Sequence, residues 1–379
     1  MKPIYLDYNA TTPVDPRIAE AMMPFLTEHY GNPSSSHILG RITRQAIENA
    51  RRQIAEVLHC QTDEIVFTSG GSESNNWAIK GVAFANRNKG NHIVTSQIEH
   101  PAVIEVCRYL ESHGFKVSYL PVDEFGIVDS QSVADAITDE TILISIMHVN
   151  NEVGSIQPIS EISDIAHKNN ILMHSDCAQS IGKIPVSVDE LGADLLSIAG
   201  HKLYAPKGIG ALYIRSGINL DKLIHGAAQE SKLRSGTENI LGIVGLGKAF
   251  ELLNGNIGES SYHLKRLRDR LENSLIELFP SARINGHKEL RLPNTSSISF
   301  KGLEANAILA ELGDKVAVSA GAACHSHSVK VSSVLEAMKV PIGHAMGTIR
   351  FSVGRFTTEE DIDKAIIEIK NVIQKLSKK

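Results

Sequence analysis

Residues 64–81 read EIVFTSGGSESNNWAIKG. An apolar, β-rich run ends at Ser69, Gly70 and Gly71 supply a tight turn, and Ser72 sits where a helix N-cap belongs. Strand, glycine turn and helix in that order make the βα unit of an α/β fold. The turn is also an anion cradle in outline, because free backbone N–H groups, the helix dipole and the Ser72 hydroxyl converge there. Taken alone, the same string is equally an ordinary βα turn.

Working outward, the pattern repeats. EIVFTS (64–69), NHIVTS (91–96), TILISIMHV (141–149), ILMHSD (171–176), DLLSIA (194–199) and GALYIR (210–215) are short β-rich apolar runs, with helical periodicity filling much of the space between them. In 37–59 apolar residues recur at Ile38, Ile42, Ala46, Ala50, Ile54 and Val57, and 158–170 opens on Pro158 near a first turn. Alternation of this kind predicts a largely parallel sheet covered by helices. Beyond residue 250 the composition changes. The stretch 252–261 is loop-like, 262–279 is a charged amphipathic helix, and 357–379 spaces Ile362, Ala365, Ile366, Ile369, Ile373 and Leu376 along one face. The expected division is a large domain over 12–255 and a smaller one built from 1–11 and 256–379.

The 379 residues, 42% of them hydrophobic, exceed the length at which one core splits in two. The 43 acidic and 38 basic residues leave a net charge of −5 without a dense Lys/Arg run, which argues against nucleic-acid binding. No signal-peptide core opens the sequence and no stretch has the length of a membrane span, so a soluble, cytoplasmic protein is expected. Cys60, Cys107, Cys177 and Cys324 never form a CxxC pair; free thiols in a reducing compartment are the simplest reading.

Two further strand ends carry chemistry. HSDCAQSIGK (174–183) places Asp176 at the carboxyl end of a strand with Gln179 three positions on. DLLSIAGHKLYAPKGIG (194–210) brings Lys202 to a strand's carboxyl edge, where open α/β sheets bind ligands. A phosphate cradle, a carboxylate and a strand-end amine together match the needs of pyridoxal 5′-phosphate: an anchor, an anion opposite the ring nitrogen and an imine-forming lysine.

The residues also resemble a known family. YLDYNATTPVDP, GNPSSSH, TSGGSESNN, EHPAV, HVNNEVGSIQPI, HSDCAQSIGKIPV, GHKLYAPKGIGALYIR, SGTEN and IRFSVGR are similar, in order and over nearly the whole chain, to the motifs of the NifS/IscS-type cysteine desulfurases of the class V aminotransferases. The resemblance implies a fold-type I pyridoxal-phosphate homodimer, with a mainly parallel seven-stranded sheet in its large domain and a smaller α+β domain. It implies that Lys202 holds the cofactor as an imine, that Asp176 keeps the pyridine nitrogen protonated, and that Gln179 bonds the ring's phenolate oxygen. His100 would stack on the ring and carry protons. Asn151 would lie against cofactor and substrate, and Gly71, Ser72, Gly200 and His201 would hold the phosphate end. Thr237 would reach the phosphate of the other subunit, while Asn32 and Arg350 bind the carboxylate of L-cysteine. One departure is visible: Ala199 stands where many members carry a hydroxyl before Gly-His-Lys.

SAGAAC (319–324) resembles the small-residue string around the family's nucleophile, which makes Cys324 the residue that takes sulfur as a persulfide and passes it to an acceptor protein. His325 or His327 would lower the thiol pKa if protonated nearby, or are solvated loop residues; with no fourth ligand at usable spacing, no metal site is expected. The polar stretch after Cys324 reads as a mobile loop. A selenocysteine lyase, an ordinary aminotransferase and a non-catalytic scaffold that keeps the fold are the competing readings.

Overall fold

The computed structural model describes residues 3–325 and 328–378, with the backbone alone at 322–325 and 328–330. Seven strands form the large sheet: β1 (Ile65–Thr68), β2 (His92–Ser96), β3 (Lys116–Leu120), β4 (Thr141–Ser145), β5 (Leu172–Asp176), β6 (Leu195–Ala199) and β7 (Gly210–Ile214), in the order β1-β7-β6-β5-β4-β2-β3. Only β7 runs against the rest, antiparallel to both β1 and β6. The sheet is therefore mainly parallel, as expected. Apolar residues cover both of its faces: Ile65 and Phe67 pack into one core and Val66 into another, and Leu196 and Leu195 divide the same way. That period-two alternation between two apolar faces is why these strands read as continuous hydrophobic runs.

Helices cover the sheet. In α1 (Ile38–Leu58) the buried Thr43, Ile47, Ala50, Ile54 and Leu58 follow helical spacing. The others that matter below are α2 (Gly71–Ala85), α3 (Pro101–Glu111), α4 (Ile159–Lys168) and α5 (Ile240–Glu251). Strand β3 has no counterpart among the runs read from sequence. It is an edge strand with an exposed Lys116 and three half-buried residues, so its pattern is weak.

A third core joins Leu6 to Leu264, Leu267, Leu271 and Leu275 of α6 (Ile257–Leu278) and to Ile362, Ile369 and Ile373 of α8 (Glu359–Leu376), with α7 (Ala305–Leu312) beside them. These helices cover an antiparallel sheet of β8 (Arg283–Asn285), β9 (Thr295–Ser299), β10 (Ser319–Ala320) and β13 (Thr348–Ser352). Helix α6 starts five residues before the expected position. Ile257 packs on the large core and the Ser261 hydroxyl donates to Lys183 O at 2.5 Å, so tertiary contacts override a loop-like composition.

The segment after Cys324 is not one long loop. Strand β11 (Ala322–His325) pairs with β12 (Ser328–Val331), Cys324 lying opposite Val329, and two short helices (Ser333–Ala337, Ile342–Ala345) lead into β13. The β-branched Val329 and Val331 favour the extended backbone. His327 lies outside the described residues. Among those residues, no helix is long and apolar enough to cross a membrane.

Candidate active site

The carboxyl ends of β1, β5 and β6 open onto one cavity of about 600 Å³, within the usual range for small-ligand sites. Its walls include Gly71, Ser72, His100, Asn151, Asp176, Gln179, His201, Lys202 and Arg350. Gly200 is buried behind them and could bear no side chain, since a Cβ would meet Ile209 O at 2.8 Å.

At β1 the backbone turns more sharply than the sequence suggests. Gly70, at φ 149° and ψ −179°, is itself the N-cap of α2, so Ser72 is the second helical residue instead of the cap. That conformation is open to glycine and closed to most side chains. The first-turn N–H groups of α2 have no partner within the helix, and Gly71 and Ser72 line the cavity. Ser69 N–H is taken: it donates to Glu73 Oε2 at 2.7 Å, and Glu73 is paired with Arg234 at 2.9 Å. Ala199 closes this corner, 3.2 Å from where a Gly71 Cβ would stand.

Asp176, the last residue of β5, is buried. Its Oδ2 accepts from Asn75 Nδ2 at 2.6 Å and its Oδ1 from Ala178 N–H at 2.9 Å. Asn75, on the inner face of α2, has no signal in sequence beyond its helical register. Lys202 follows β6 on a short 3₁₀ turn and donates to the carbonyls of Asn9 and Ala10, both at 2.6 Å. Among the described residues it has no carboxylate partner. Burial and the Arg350 guanidinium lower its pKa to about 8, with Asp176 and Asp7 pulling the other way.

His100 caps α3, its Nδ1 accepting from Ala102 N–H at 3.1 Å. The neutral ring therefore carries its proton on Nε2. Burial lowers its pKa, Asp176 raises it and Lys202 lowers it, the net result being a fall. Preceding it, Glu99 is fully enclosed, accepts from Ser96 Oγ and Met147 N–H, and is pushed up to about 8 by burial. His201, bonded to Thr11 Oγ1 at 3.1 Å, is pushed down to about 4 by burial and the neighbouring lysines.

Arg350 of β13 is already engaged. Its Nη2 donates to Asp7 Oδ1 at 2.8 Å and Ser319 Oγ at 3.1 Å, and Nη1 donates to Asn151 O at 2.9 Å. Its Nε is buried without a partner. Asn32 and Thr237 do not line this cavity. Asn32 is exposed and accepts from Ser34 N–H at 2.9 Å, and Thr237 is exposed beside a separate cavity that shares Ser69 and Gly208 with the first. Cys324 is placed by its backbone only, in β11, one residue beyond the small residues that follow β10 and the Arg350 contact at Ser319.

The donors fit pyridoxal phosphate: a strand-end amine without a counter-ion, a buried carboxylate across the cavity, a helix N-terminus, and a glycine turn that lets the backbone come close. The model of a family described as Aminotransferase class-V matches residues 4–365. A protein named Cysteine desulfurase IscS from Methanosarcina thermophila is 50% identical over 376 residues, 99% of this chain and 93% of that protein. Its namesake from Dictyoglomus turgidum is 51% identical over 374 residues, 98% and 95% respectively. Among solved structures, a NifS-like protein superposes with a TM-score of 0.93 at 40% identity, covering 99% of this chain and all of that one. The structure titled SspA in complex with cysteine gives 0.82 at 38% identity, covering 94% and 100%.

Proposed function

The chain belongs to the class V aminotransferases, and from that premise we propose that it is a cysteine desulfurase: with pyridoxal 5′-phosphate it converts L-cysteine to L-alanine and keeps the sulfur as a persulfide on Cys324 for an acceptor protein. The observation that carries the reading is Lys202. A half-buried amine with only carbonyl partners and a pKa near 8 is part neutral at physiological pH, which suits covalent attachment of an aldehyde.

When bound, the cofactor supplies an electron sink for the charge left as the substrate's α-proton departs. The chain's own groups do the rest. Asp176, oriented by Asn75 and Ala178, would pair with the ring nitrogen. Gln179 offers an amide N–H to the ring oxygen. Gly71, Ser72, Gly200 and His201 would hold the phosphate end, and His100, with its proton at Nε2, would stack on the ring and carry protons. Asn151 flanks the substrate, whose carboxylate goes to Arg350 and Asn32. Of the five N–H groups of Arg350, Nε–H and one on Nη1 are without a partner among the described residues, and a carboxylate that takes the place of Asp7 gains a third, on Nη2. Thr237, exposed and outside the cavity, suits a contact with the phosphate in a second copy, so a homodimer completes each site.

The Cys324 thiolate attacks the substrate sulfur. The new S–S bond forms as the substrate's Cβ–S bond breaks, the carbon takes up a proton, and thiol plus thiol becomes alanine plus persulfide with no external oxidant. The test is mass spectrometry of Cys324 after cysteine treatment, run beside Cys324→Ser. Wild type should gain one sulfur at Cys324 and lose it to a competent acceptor. The serine variant should stay yellow and change its spectrum with cysteine, yet accumulate no alanine, because a hydroxyl is far the weaker nucleophile. Alanine formation from cysteine by that variant would remove Cys324 from the mechanism. Activity on selenocysteine alone would favour the lyase.

A further inference from the structure

Lys183 is a buried lysine with no carboxylate beside it among the described residues. Its Nζ donates to Gln179 Oε1 at 2.5 Å and Asn9 Oδ1 at 3.0 Å. The charged groups that face it, Lys202 and Arg350, are both positive and, together with burial, hold its pKa well below that of an ordinary lysine. A side chain in so unfavourable a place needs a reason, and leucine or methionine would fill the volume at less cost.

We infer that Lys183 is a positioning residue that fixes which end of the Gln179 amide faces the cofactor. The inference rests on the pyridoxal-phosphate reading of the cavity. An amide can present either its oxygen or its NH₂, and only its hydrogen-bond partners decide between them. As an ammonium Lys183 can only donate, and as a neutral amine it spends its two N–H groups on Gln179 Oε1 and Asn9 Oδ1, which assigns the oxygen of Gln179 to the buried side. The opposite end confirms the assignment: Gln179 Nε2 donates to Asn9 O at 3.0 Å, an acceptor that could not face an oxygen. One N–H of that NH₂ is used on Asn9. The second is left on the side where Gln179 lines the cavity, available to an anionic ring oxygen.

Asn9 strengthens the lock. It receives Lys183 and Asn294 on Oδ1 while its Nδ2 donates to Thr295 Oγ1 at 2.8 Å, so its own amide cannot turn either. Both bonds of Lys183 survive in either protonation state, because even the neutral amine has two N–H groups. A cavity of about 20 Å³, lined by Lys183 and Lys202, has room for roughly one water. Without Lys183 the amide oxygen loses its donor, and only the Asn9 carbonyl at Nε2 still resists a turn that would bring the oxygen toward an anion and replace an attraction with a repulsion.

The experiment uses the full chain loaded with pyridoxal phosphate, comparing wild type, Lys183→Met, Gln179→Leu and the double variant. The readouts are the dissociation constant for the cofactor and the pH at which its visible band is lost. Lys183→Met should weaken binding about tenfold and move the band's loss to higher pH, since an unsupported ring oxygen holds on to a shared proton. In the Gln179→Leu background the lysine substitution should add less than about twofold. Should the methionine variant prove insoluble, Lys183→Leu, which also lacks a donor, is read in the same way. A folded single variant with wild-type affinity and spectrum would overturn the inference, as would an equal effect in the absence of Gln179. A wild-type protein that binds no pyridoxal phosphate at Lys202 would instead overturn the reading of the cavity, and this inference with it.

Discussion

Arg350→Ala should raise KM for cysteine and lower stability by separable amounts. In the resting site the guanidinium holds Asp7, Ser319 and the Asn151 carbonyl, and both members of the ion pair are largely shielded, with 10% and 17% of their side chains exposed. Removing one partner of a dry ion pair costs about 3–5 kcal/mol when the other charge stays buried. Asp7 keeps the Ser319 hydroxyl as a donor at 2.8 Å and has some contact with solvent. The expected loss of stability is therefore nearer ~2 kcal/mol. For the substrate, a charge-assisted contact to a carboxylate contributes about 2–3 kcal/mol, which corresponds to a KM increase of ~30- to 150-fold. The stranded Asp7 adds repulsion to that loss. Adding Asp7→Asn to Arg350→Ala should therefore bring KM part of the way back while recovering some of the melting temperature. Steady-state alanine formation and thermal unfolding by circular dichroism measure the two effects on the same samples. An unchanged KM in the single variant would refute the assignment of Arg350, and a double variant worse than the single one would refute the competition between Asp7 and substrate.

Two further outcomes test Lys202. Lys202→Ala should abolish cysteine turnover and leave no borohydride-fixed cofactor on the protein; peptide mapping that finds the adduct on another lysine would move the attachment site. Cofactor capture by the metal-free apoprotein requires the neutral amine, about a tenth of the population at pH 7 for a pKa near 8, so its rate should climb with pH and level off above about 8. Stopped-flow absorbance follows this directly, and a rate still rising at pH 10, as for an ordinary lysine, would show that burial does not shift this amine.

The parts of this site that could be read from sequence are those set by local order along the chain. Strand followed by glycine turn or by Asp and Lys at the carboxyl edge points to Gly71, Asp176, Gln179 and Lys202, and all four line one cavity. Even there, a local rule misassigned Ser72, because whether Gly70 or Ser72 caps α2 depends on a glycine-only backbone angle. What sequence did not reveal are the residues that act through tertiary contact. Asp7 and Asn9 come from the far end of the chain, Asn75 reads as one more helix residue, and Lys183 as one more surface lysine. Their roles exist only once the antiparallel sheet and the amino-terminal segment close against β5 and β6. Strand β3 escaped notice for a related reason: at a sheet edge half of its surface is solvated, and the alternation that marks a strand fades.

The charge balance of the cavity explains why these residues are assembled at such cost. Lys202 and Lys207 reach it bonded only to carbonyls, Lys183 stands behind it bonded only to amide oxygens, and Arg350 adds a fourth cation. Against them stand Asp176, Asp7 and Glu73, of which Asp7 is paired with Arg350 and Glu73 with Arg234. Counting those two pairs as neutral, three amines face one carboxylate. Lys207 is exposed, but the shielded amines, buried Lys183 and half-buried Lys202, respond to the missing counter-ions in one of two ways: they lose protons, as their lowered pKa values show, or they gain an anion. A phosphate ester supplies that anion beside the N-terminus of α2, and a substrate carboxylate supplies a second at Arg350 when it displaces Asp7. The same surplus that makes the resting site unfavourable thus selects a ligand with two separated negative ends, and keeps Lys202 neutral enough to react before the ligand arrives.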